Sequence, residues 1–78
     1  MSSVRGFENM KTCLGKRLKE LREERGLTQK QLSEKLNLNS VTYLRYEKEQ
    51  REPPLYLLVE FANFFEVSID YLLGLKDY

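Results

Sequence analysis

The 78-residue sequence contains no histidine and only one cysteine, Cys13. Because zinc and related metals are usually held by imidazole and thiolate groups, we expect no metal site. A single cysteine also excludes an internal disulfide framework, so nothing points to an oxidising compartment. No segment approaches the run of about 18 apolar residues that a membrane-spanning helix requires, and residues 1–9 lack the apolar core of a secretory signal peptide. The sequence therefore predicts neither a membrane protein nor a disulfide-stapled secreted domain.

Residues typical of catalytic sites are also scarce. Cys13 lies in an ordinary helical pattern without a neighbouring base, and the chain has no glycine-rich phosphate loop. The acidic residues alternate with basic ones, as they do on the solvated faces of helices. We therefore expect no catalytic residue and no cofactor.

What is present is a composition typical of a globular domain, with 41% hydrophobic and 32% charged residues. A chain of this length forms one domain whose modest core buries roughly 60% of the unfolded chain's surface. Residues 1–51 carry twelve Lys/Arg against seven Asp/Glu, a net charge of +5, whereas residues 52–78 carry one against five, a net charge of −4. A basic part backed by an acidic part suits a protein that presents one face to a polyanion.

Apolar residues recur at helical spacing along most of the chain. The pattern predicts five short helices and hence an all-α fold, with the helices over residues 12–25, 29–36, 40–48, 54–65 and 69–73. Gly26 and Gly74 are placed to end the first and the last of these helices. Residues 1–11 show no periodicity and are predicted to form a flexible N-terminal segment ahead of a domain that spans residues 12–78.

In the stretch from Leu27 to Glu47, a very short polar turn separates the second predicted helix from the third. Thr28 is a favourable N-cap, and Gln31 three residues later completes a capping box. Asn39 is a favourable N-cap for the next helix, and Asn37 can adopt the left-handed conformation that closes a helix. Two helices joined by a three-residue turn, the second with a polar outward face, form the layout of a helix-turn-helix.

The fourth helical segment carries apolar residues on two faces. One stripe is predicted to face the core, and its members are Leu55, Leu58, Val59, Ala62 and Phe65. The second stripe is formed by Leu57, Phe61 and Phe64. Because a single small core cannot readily cover both faces, we predict that the second stripe forms a surface for dimerisation or for a second protein partner. Tyr71 and Leu75 are predicted to join that surface.

Over residues 14–73 the sequence resembles the lambda-repressor-like, Cro/C1-type helix-turn-helix proteins. The residues that carry the resemblance are Arg22, Gly26-Leu27-Thr28-Gln29, Leu32, Glu47, Pro53, Leu58, Ala62, Val67-Ser68 and Tyr71-Leu72. The resemblance implies a five-helix DNA-binding domain without enzymatic activity, in a sequence-specific transcriptional regulator, most often a repressor, that acts in the cytoplasm of a bacterium or in a phage. It also implies a partly buried ion pair between Arg22 and Glu47 that serves the fold.

By the same resemblance, the helix over residues 40–48 enters the major groove of double-stranded DNA, and a homodimer reads a palindromic operator. The residues predicted to contact base edges are those that this helix turns outward: Ser40, Val41, Thr42, Leu44 and Arg45. Val41 and Thr42 suit the methyl group of thymine, and Arg45 suits a bidentate contact with guanine. The residues predicted to contact phosphates are Gln29, Lys30, Lys48, Arg51 and Arg17.

Glu49 departs from the family pattern, which usually has glycine at this position. Glutamate in a left-handed conformation costs about 1 kcal/mol relative to glycine. We therefore expect the third helix to end differently in this chain, ahead of a polar connector that closes with proline at Pro53.

Two alternative functions stay open beside a DNA-binding regulator. Antitoxins of the same family bind both DNA and a toxin, and the second apolar stripe would suit the additional partner. A protein-interaction module that has lost DNA binding is the other alternative, favoured by Leu44, Glu49 and Glu52 beside the groove-facing helix.

Overall fold

A computed structural model of the chain describes residues 13–77, and these residues form five α-helices. We label them α1 (Leu14–Glu24), α2 (Gln29–Lys35), α3 (Ser40–Glu47), α4 (Leu55–Phe65) and α5 (Ile69–Leu73). Each bound lies within two residues of its sequence-based prediction, which confirms the all-α, five-helix fold. The predicted flexible segment over residues 1–11 lies outside the described residues.

The N-termini of α2, α3 and α5 are capped by the side chains that the sequence indicates. The Thr28 hydroxyl accepts a hydrogen bond from the Gln31 amide at 3.0 Å, and the Gln31 side chain accepts one from the Thr28 amide at 2.9 Å, which completes the capping box. The Asn39 carboxamide caps α3, and the Ser68 hydroxyl caps α5 by accepting from the Tyr71 amide. These three caps satisfy amides that a helix leaves unpaired at its start.

All five helices end in the same way, with a left-handed residue followed by a reversal of the chain. The left-handed residues are Gly26, Asn37, Glu49, Glu66 and Gly74. At the end of α3, the Gln50 amide donates to the Arg45 carbonyl at 2.9 Å and the Glu49 amide donates to the Tyr46 carbonyl at 3.1 Å. This pair of bonds is the Schellman motif, and matching pairs close the other four helices.

The prediction that α3 would end differently because of Glu49 is wrong. Glu49 keeps the left-handed backbone, with a φ of 57°. Its side chain provides a physical reason, since the carboxylate accepts a hydrogen bond from the Gly15 amide at 3.0 Å. A contact of this kind offsets part of the cost of the left-handed conformation.

The core lies between the helices and is formed by large apolar side chains from each of them. Leu18, Leu32, Tyr43, Phe61 and Leu72 are fully buried. The Phe61 ring lies edge-on to the rings of Tyr43 and Tyr46, with centroids 6.0 and 6.2 Å away. These aromatic contacts attach α4 to the inner side of α3.

The structure corrects the assignment of the two faces of α4. Leu57 and Phe61 are buried at 1% and 0% exposure, so neither can form the dimer or partner surface that the sequence predicted. Leu55 and Val59, predicted to lie in the core, are instead 72% and 40% exposed. The reason is that Leu57 and Phe61, four residues apart, lie on one face of the helix, and this face meets the rings of α3.

The remaining members of the predicted partner surface differ in exposure. Phe64 and Tyr71 are partly buried, and Leu75 is exposed. Leu55, Tyr56 and Val59 form a separate exposed apolar patch at the N-terminal half of α4. No helix within residues 13–77 has the length and apolar character needed to cross a bilayer.

Candidate nucleic-acid interface

The inner face of α3 is attached to α1 by a buried ion pair. Arg22 on α1 donates from Nε to Glu47 Oε2 at 2.7 Å and from Nη2 to Glu47 Oε1 at 3.3 Å. Both side chains are shielded from solvent, with exposures of 10% for Arg22 and 4% for Glu47. Two parallel bonds between a guanidinium and a carboxylate fix both distance and orientation, so the pair sets the position of α3 against α1. The predicted structural ion pair has this geometry.

Two further side chains converge on the Glu47 carboxylate. The Tyr43 hydroxyl donates to Oε2 at 2.5 Å, and the Gln29 amide donates to Oε1 at 3.0 Å. Arg22 also donates from Nη1 to the Leu27 carbonyl at 2.8 Å. One carboxylate therefore joins α1, the start of α2 and α3 into a single hydrogen-bonded unit.

This arrangement changes the acid–base behaviour of the buried groups. Burial by itself raises the pKa of Glu47, but hydrogen bonds from Arg22, Tyr43 and Gln29 together outweigh it and lower the pKa below the usual value of 4.5. Burial and the hydrogen bond to Glu47 raise the pKa of Tyr43. Glu47 is therefore a carboxylate at neutral pH. Tyr43 keeps its proton and donates a hydrogen bond to that carboxylate.

The C-terminal end of α3 also packs closely against the start of α1. A Cβ atom added to Gly15 would lie 2.2 Å from the Glu47 carbonyl oxygen, so only glycine permits this approach without displacement. The Glu49 carboxylate accepts from the Gly15 amide at the same place. Thus α3 is held at its side by Arg22 and at its end by Gly15 and Glu49.

The outer face of α3 presents most of the residues predicted to contact bases. Ser40, Val41 and Arg45 are exposed, whereas Thr42 and Leu44 are partly buried. Val41 has 54% of its surface exposed. The five residues thus lie on or beside one face, opposite the buried Tyr43 and Tyr46.

The predicted phosphate contacts fall into two groups. Lys30, Lys48 and Arg51 are exposed, at the start of α2 and just after α3. Gln29 is partly buried, and its amide group is used in bracing Glu47.

Arg17 lies in a different environment from the other predicted phosphate contacts. Its guanidinium stacks over the Tyr71 ring at 4.0 Å from the centroid and approaches Asp77 at 3.8 Å. Only 17% of the side chain is exposed, so Arg17 belongs to the packing of α1 against α5.

Three contributors to the site were not predicted from the sequence: the Tyr43 hydroxyl, Gly15 and the Glu49 carboxylate. A glycine inside an otherwise regular helical pattern is a signal for close packing and could have identified Gly15. The Tyr43 hydroxyl and Glu47 are four residues apart on α3, a spacing that makes two side chains neighbours on a helix and could have indicated this contact. The partner of the Glu49 carboxylate is 34 residues away, and no local pattern marks it.

Comparison with known proteins identifies the class to which this fold and site belong. The helix-turn-helix family HTH_3 matches residues 18–72, more than half of the chain. This chain belongs to the Cro/C1-type helix-turn-helix family of transcriptional regulators, which are not enzymes.

Among curated proteins, the chain is similar to regulators of Bacillus subtilis (strain 168). It is 48% identical over 61 residues to the HTH-type transcriptional regulator ImmR, and the matched region covers 78% of this chain and 48% of ImmR. It is 46% identical over 61 residues to the uncharacterized HTH-type transcriptional regulator YobD, and the matched region covers 78% of this chain and 54% of YobD. The chain thus spans about half the length of the curated relatives it matches.

Two solved structures share the fold. A transcriptional regulator from Listeria innocua superposes with a TM-score of 0.77 at 31% identity, covering 83% of this chain and 61% of that one. The S. venezulae BldD DNA-binding domain superposes with a TM-score of 0.68 at 30% identity, covering 80% of this chain and 93% of that domain. Both likenesses extend over most of the described helices.

Proposed function

We propose that this chain is a sequence-specific DNA-binding domain of a bacterial or phage transcriptional repressor, acting in the cytoplasm. In this proposal α3 enters the major groove, and a homodimer reads a palindromic operator. The observation that carries the proposal is the contrast within α3: four polar side chains and a close backbone contact fix its inner side, while its outer side is exposed. The likeness to the BldD DNA-binding domain supports it.

The proposed contacts follow from exposure and chemistry. Base edges are read by Ser40, Val41, Thr42, Leu44 and Arg45, of which Ser40, Val41 and Arg45 are exposed. Lys30, Lys48 and Arg51 neutralise phosphates on either side of the groove. Gln29 serves both as a brace for Glu47 and as a phosphate contact through its remaining amide atoms. Arg17 is left out of the proposed interface because it stacks on Tyr71.

A salt titration tests DNA binding. The affinity for a mixed-sequence duplex is measured at 50 and 200 mM salt for the wild type and for Lys48→Ala, with Lys19→Ala on the exposed side of α1 as the matched control. A DNA-binding domain weakens steeply with salt, and removing one phosphate contact reduces the slope of log K against log salt by about 0.9. Absence of binding at either salt concentration would contradict the proposal and favour an interaction module.

The second candidate function is an additional protein partner, as in a regulator that also binds a toxin. The exposed patch of Leu55, Tyr56 and Val59 on α4 favours it, because exposed apolar clusters often mark interaction sites. Sedimentation of the chain alone and with a selected operator duplex separates the cases. Two copies per duplex indicate the homodimer, whereas one copy per duplex contradicts palindromic reading and leaves the patch to another partner.

A further inference from the structure

The exposed apolar patch on α4 is continuous. Leu55, Tyr56 and Val59 are 72%, 66% and 40% exposed. Leu55 and Val59 are four residues apart and Tyr56 and Val59 are three apart, so all three side chains are neighbours on one side of the helix. That side is opposite Leu57 and Phe61, which face the core. The patch therefore adds nothing to the packing of the domain, and its tyrosine is of a kind enriched where proteins meet.

The surface around this patch is acidic. Residues 52–75 contain four Asp/Glu and no Lys or Arg. Glu60 follows Val59 directly and lies one turn beyond Tyr56, and Glu52 lies in the connector that leads into α4. Both glutamates are exposed, and neither takes part in an ion pair within residues 13–77. The patch is thus bordered by carboxylates whose charge no ion pair offsets.

The cations that approach this part of the fold lie away from the patch. Arg25 on α1 lies over the rings of Phe64 and Phe65, at the C-terminal end of α4. Lys76 follows α5 and lies 3.8 Å from Asp70. The side of α4 that carries the patch therefore presents apolar groups and negative charge together.

This combination distinguishes between the surfaces that can cover the patch. The phosphates of DNA are repelled by the two glutamates. A second copy of the chain that met the patch symmetrically would bring the same glutamates together, and like charges facing each other at an interface are unfavourable. A protein surface with lysine or arginine beside apolar side chains satisfies both features.

We infer that the patch of Leu55, Tyr56 and Val59 binds a second protein through a segment that carries apolar side chains flanked by lysine or arginine, with Glu52 and Glu60 receiving the positive charges. This rests on the second candidate function, the additional protein partner, and specifies the chemistry of that partner. The homodimer of the proposed function then forms through other residues, and the patch stays accessible when DNA is bound.

The experiment selects ligands for the patch from random peptides displayed on phage, with the full chain immobilised. We expect the enriched peptides to combine an apolar residue with an excess of Lys and Arg. One enriched peptide is then synthesised and its affinity measured by fluorescence anisotropy. Tyr56→Ala should weaken its binding about tenfold, the effect of removing a central aromatic contact. Leu75→Ala, at an exposed apolar residue beyond α5, is the matched control and should bind as the wild type does.

A charge reversal tests the electrostatic part of the inference. Glu60→Lys should weaken binding of the same peptide roughly fivefold, and more at low salt than at high salt, because an attraction is replaced by a repulsion. Glu34→Lys, the same change on the exposed side of α2, should leave the affinity unchanged. A selection repeated on Glu60→Lys should lose the excess of Lys and Arg. Because Tyr56 and Glu60 are exposed, their variants should unfold at the wild-type urea concentration.

The outcomes separate this inference from the functions proposed above. Peptides that need Tyr56 but show no excess of positive charge overturn the inference while the second candidate function stands. If no enriched peptide depends on Tyr56, both fail, whereas DNA binding is judged independently by the salt titration of Lys48→Ala.

Two other occupants of the patch would also overturn the inference. A dimer in sedimentation velocity that Tyr56→Arg dissociates and Leu75→Arg does not would show that a second copy covers the patch. A loss of duplex affinity in Tyr56→Ala as large as that in Lys48→Ala would place the patch in the DNA interface. We expect neither effect.

Discussion

The inner and outer faces of α3 are built in opposite ways. On the inner face, Tyr43 and Tyr46 are buried and Glu47 receives hydrogen bonds from three side chains on α1, α2 and α3. On the outer face, the side chains of Val41 and Arg45 are exposed. The two faces therefore differ in the free energy that they contribute to folding, although they belong to the same two turns of helix.

This difference shows how a very short helix can be held in a fixed conformation by the rest of its domain. Isolated helices shorter than about 12–15 residues are marginal in water, and α3 has 8 residues. Its conformation must therefore come from contacts with the rest of the domain. Because those contacts are complete before any ligand arrives, binding does not have to order the helix, which reduces the cost of association.

The largest expected effect comes from breaking the buried ion pair. Arg22→Ala leaves the Glu47 carboxylate buried without its counter-charge, and loss of one partner in such a pair costs roughly 3–5 kcal/mol. Urea unfolding followed by circular dichroism measures the loss. Arg45→Ala, on the outer face, is the matched control and should change the free energy of unfolding by less than about 0.5 kcal/mol. Equal effects of the two variants would contradict the comparison between the faces.

Acid should weaken the same network by a smaller amount. The pKa of Glu47 is lowered in the folded protein from its usual 4.5, so its stabilising contribution is complete above about pH 4.5. That contribution is lost as the pH falls through the lower pKa of the folded state. The measurement is the urea midpoint between pH 7 and pH 3. Glu47→Gln should be less stable at pH 7 and less sensitive to acid, whereas Glu34→Gln, an exposed carboxylate on α2, serves as the control.

A smaller effect is expected where α1 approaches the end of α3. In Gly15→Ala the new Cβ would meet the Glu47 carbonyl oxygen, so the two helices must separate. Overpacking typically costs about 1–3 kcal/mol, more than the 0.5–1 kcal/mol or so that alanine gains over glycine within a helix. Thermal unfolding compares this variant with Lys16→Ala at the neighbouring exposed position. A Gly15→Ala protein more stable than wild type would show that the close approach is not required.

The smallest effect is expected at Glu49, where two contributions oppose each other. Glu49→Ala loses the bond to the Gly15 amide but keeps the strained left-handed backbone, so a loss of about 1 kcal/mol is expected. Glu49→Gly loses the same bond but relieves the strain, and its urea midpoint should lie close to that of the wild type. If the alanine variant matches the wild type instead, the carboxylate does not stabilise the end of α3.

The features that the sequence predicted well are those that depend on neighbouring residues. The Thr28–Gln31 capping box, the Asn39 cap and the left-handed Asn37 each involve residues within three positions of one another, and all are observed. The helix bounds follow from these signals. The pairing of Arg22 with Glu47 is a distant contact, and it was predicted only because the sequence resembles a family that has it.

Apart from the contact between Tyr43 and Glu47, the features that were wrong or missed depend on distant contacts. The periodicity of α4 shows two apolar stripes, but only the position of Tyr43 and Tyr46 decides that Leu57 and Phe61 turn inward. The left-handed conformation of Glu49 was not predicted, because its conformational cost is visible in the local sequence. The hydrogen bond that offsets this cost comes from Gly15, which is 34 residues away. The DNA contacts themselves stay predictions, since they depend on a molecule outside the chain.

The repeated Schellman closure has a consequence for how this domain can vary in length. At the turn between α2 and α3, the left-handed Asn37 is followed within two residues by the cap at Asn39. Nearly every residue of this turn therefore has a fixed structural role. Each residue added to a helix rotates the next part of the chain by about 100°, and an insertion there would turn Val41 away from its present side. Insertions should therefore be accepted between Gln50 and Glu52, which are exposed residues of the longest connection between the helices.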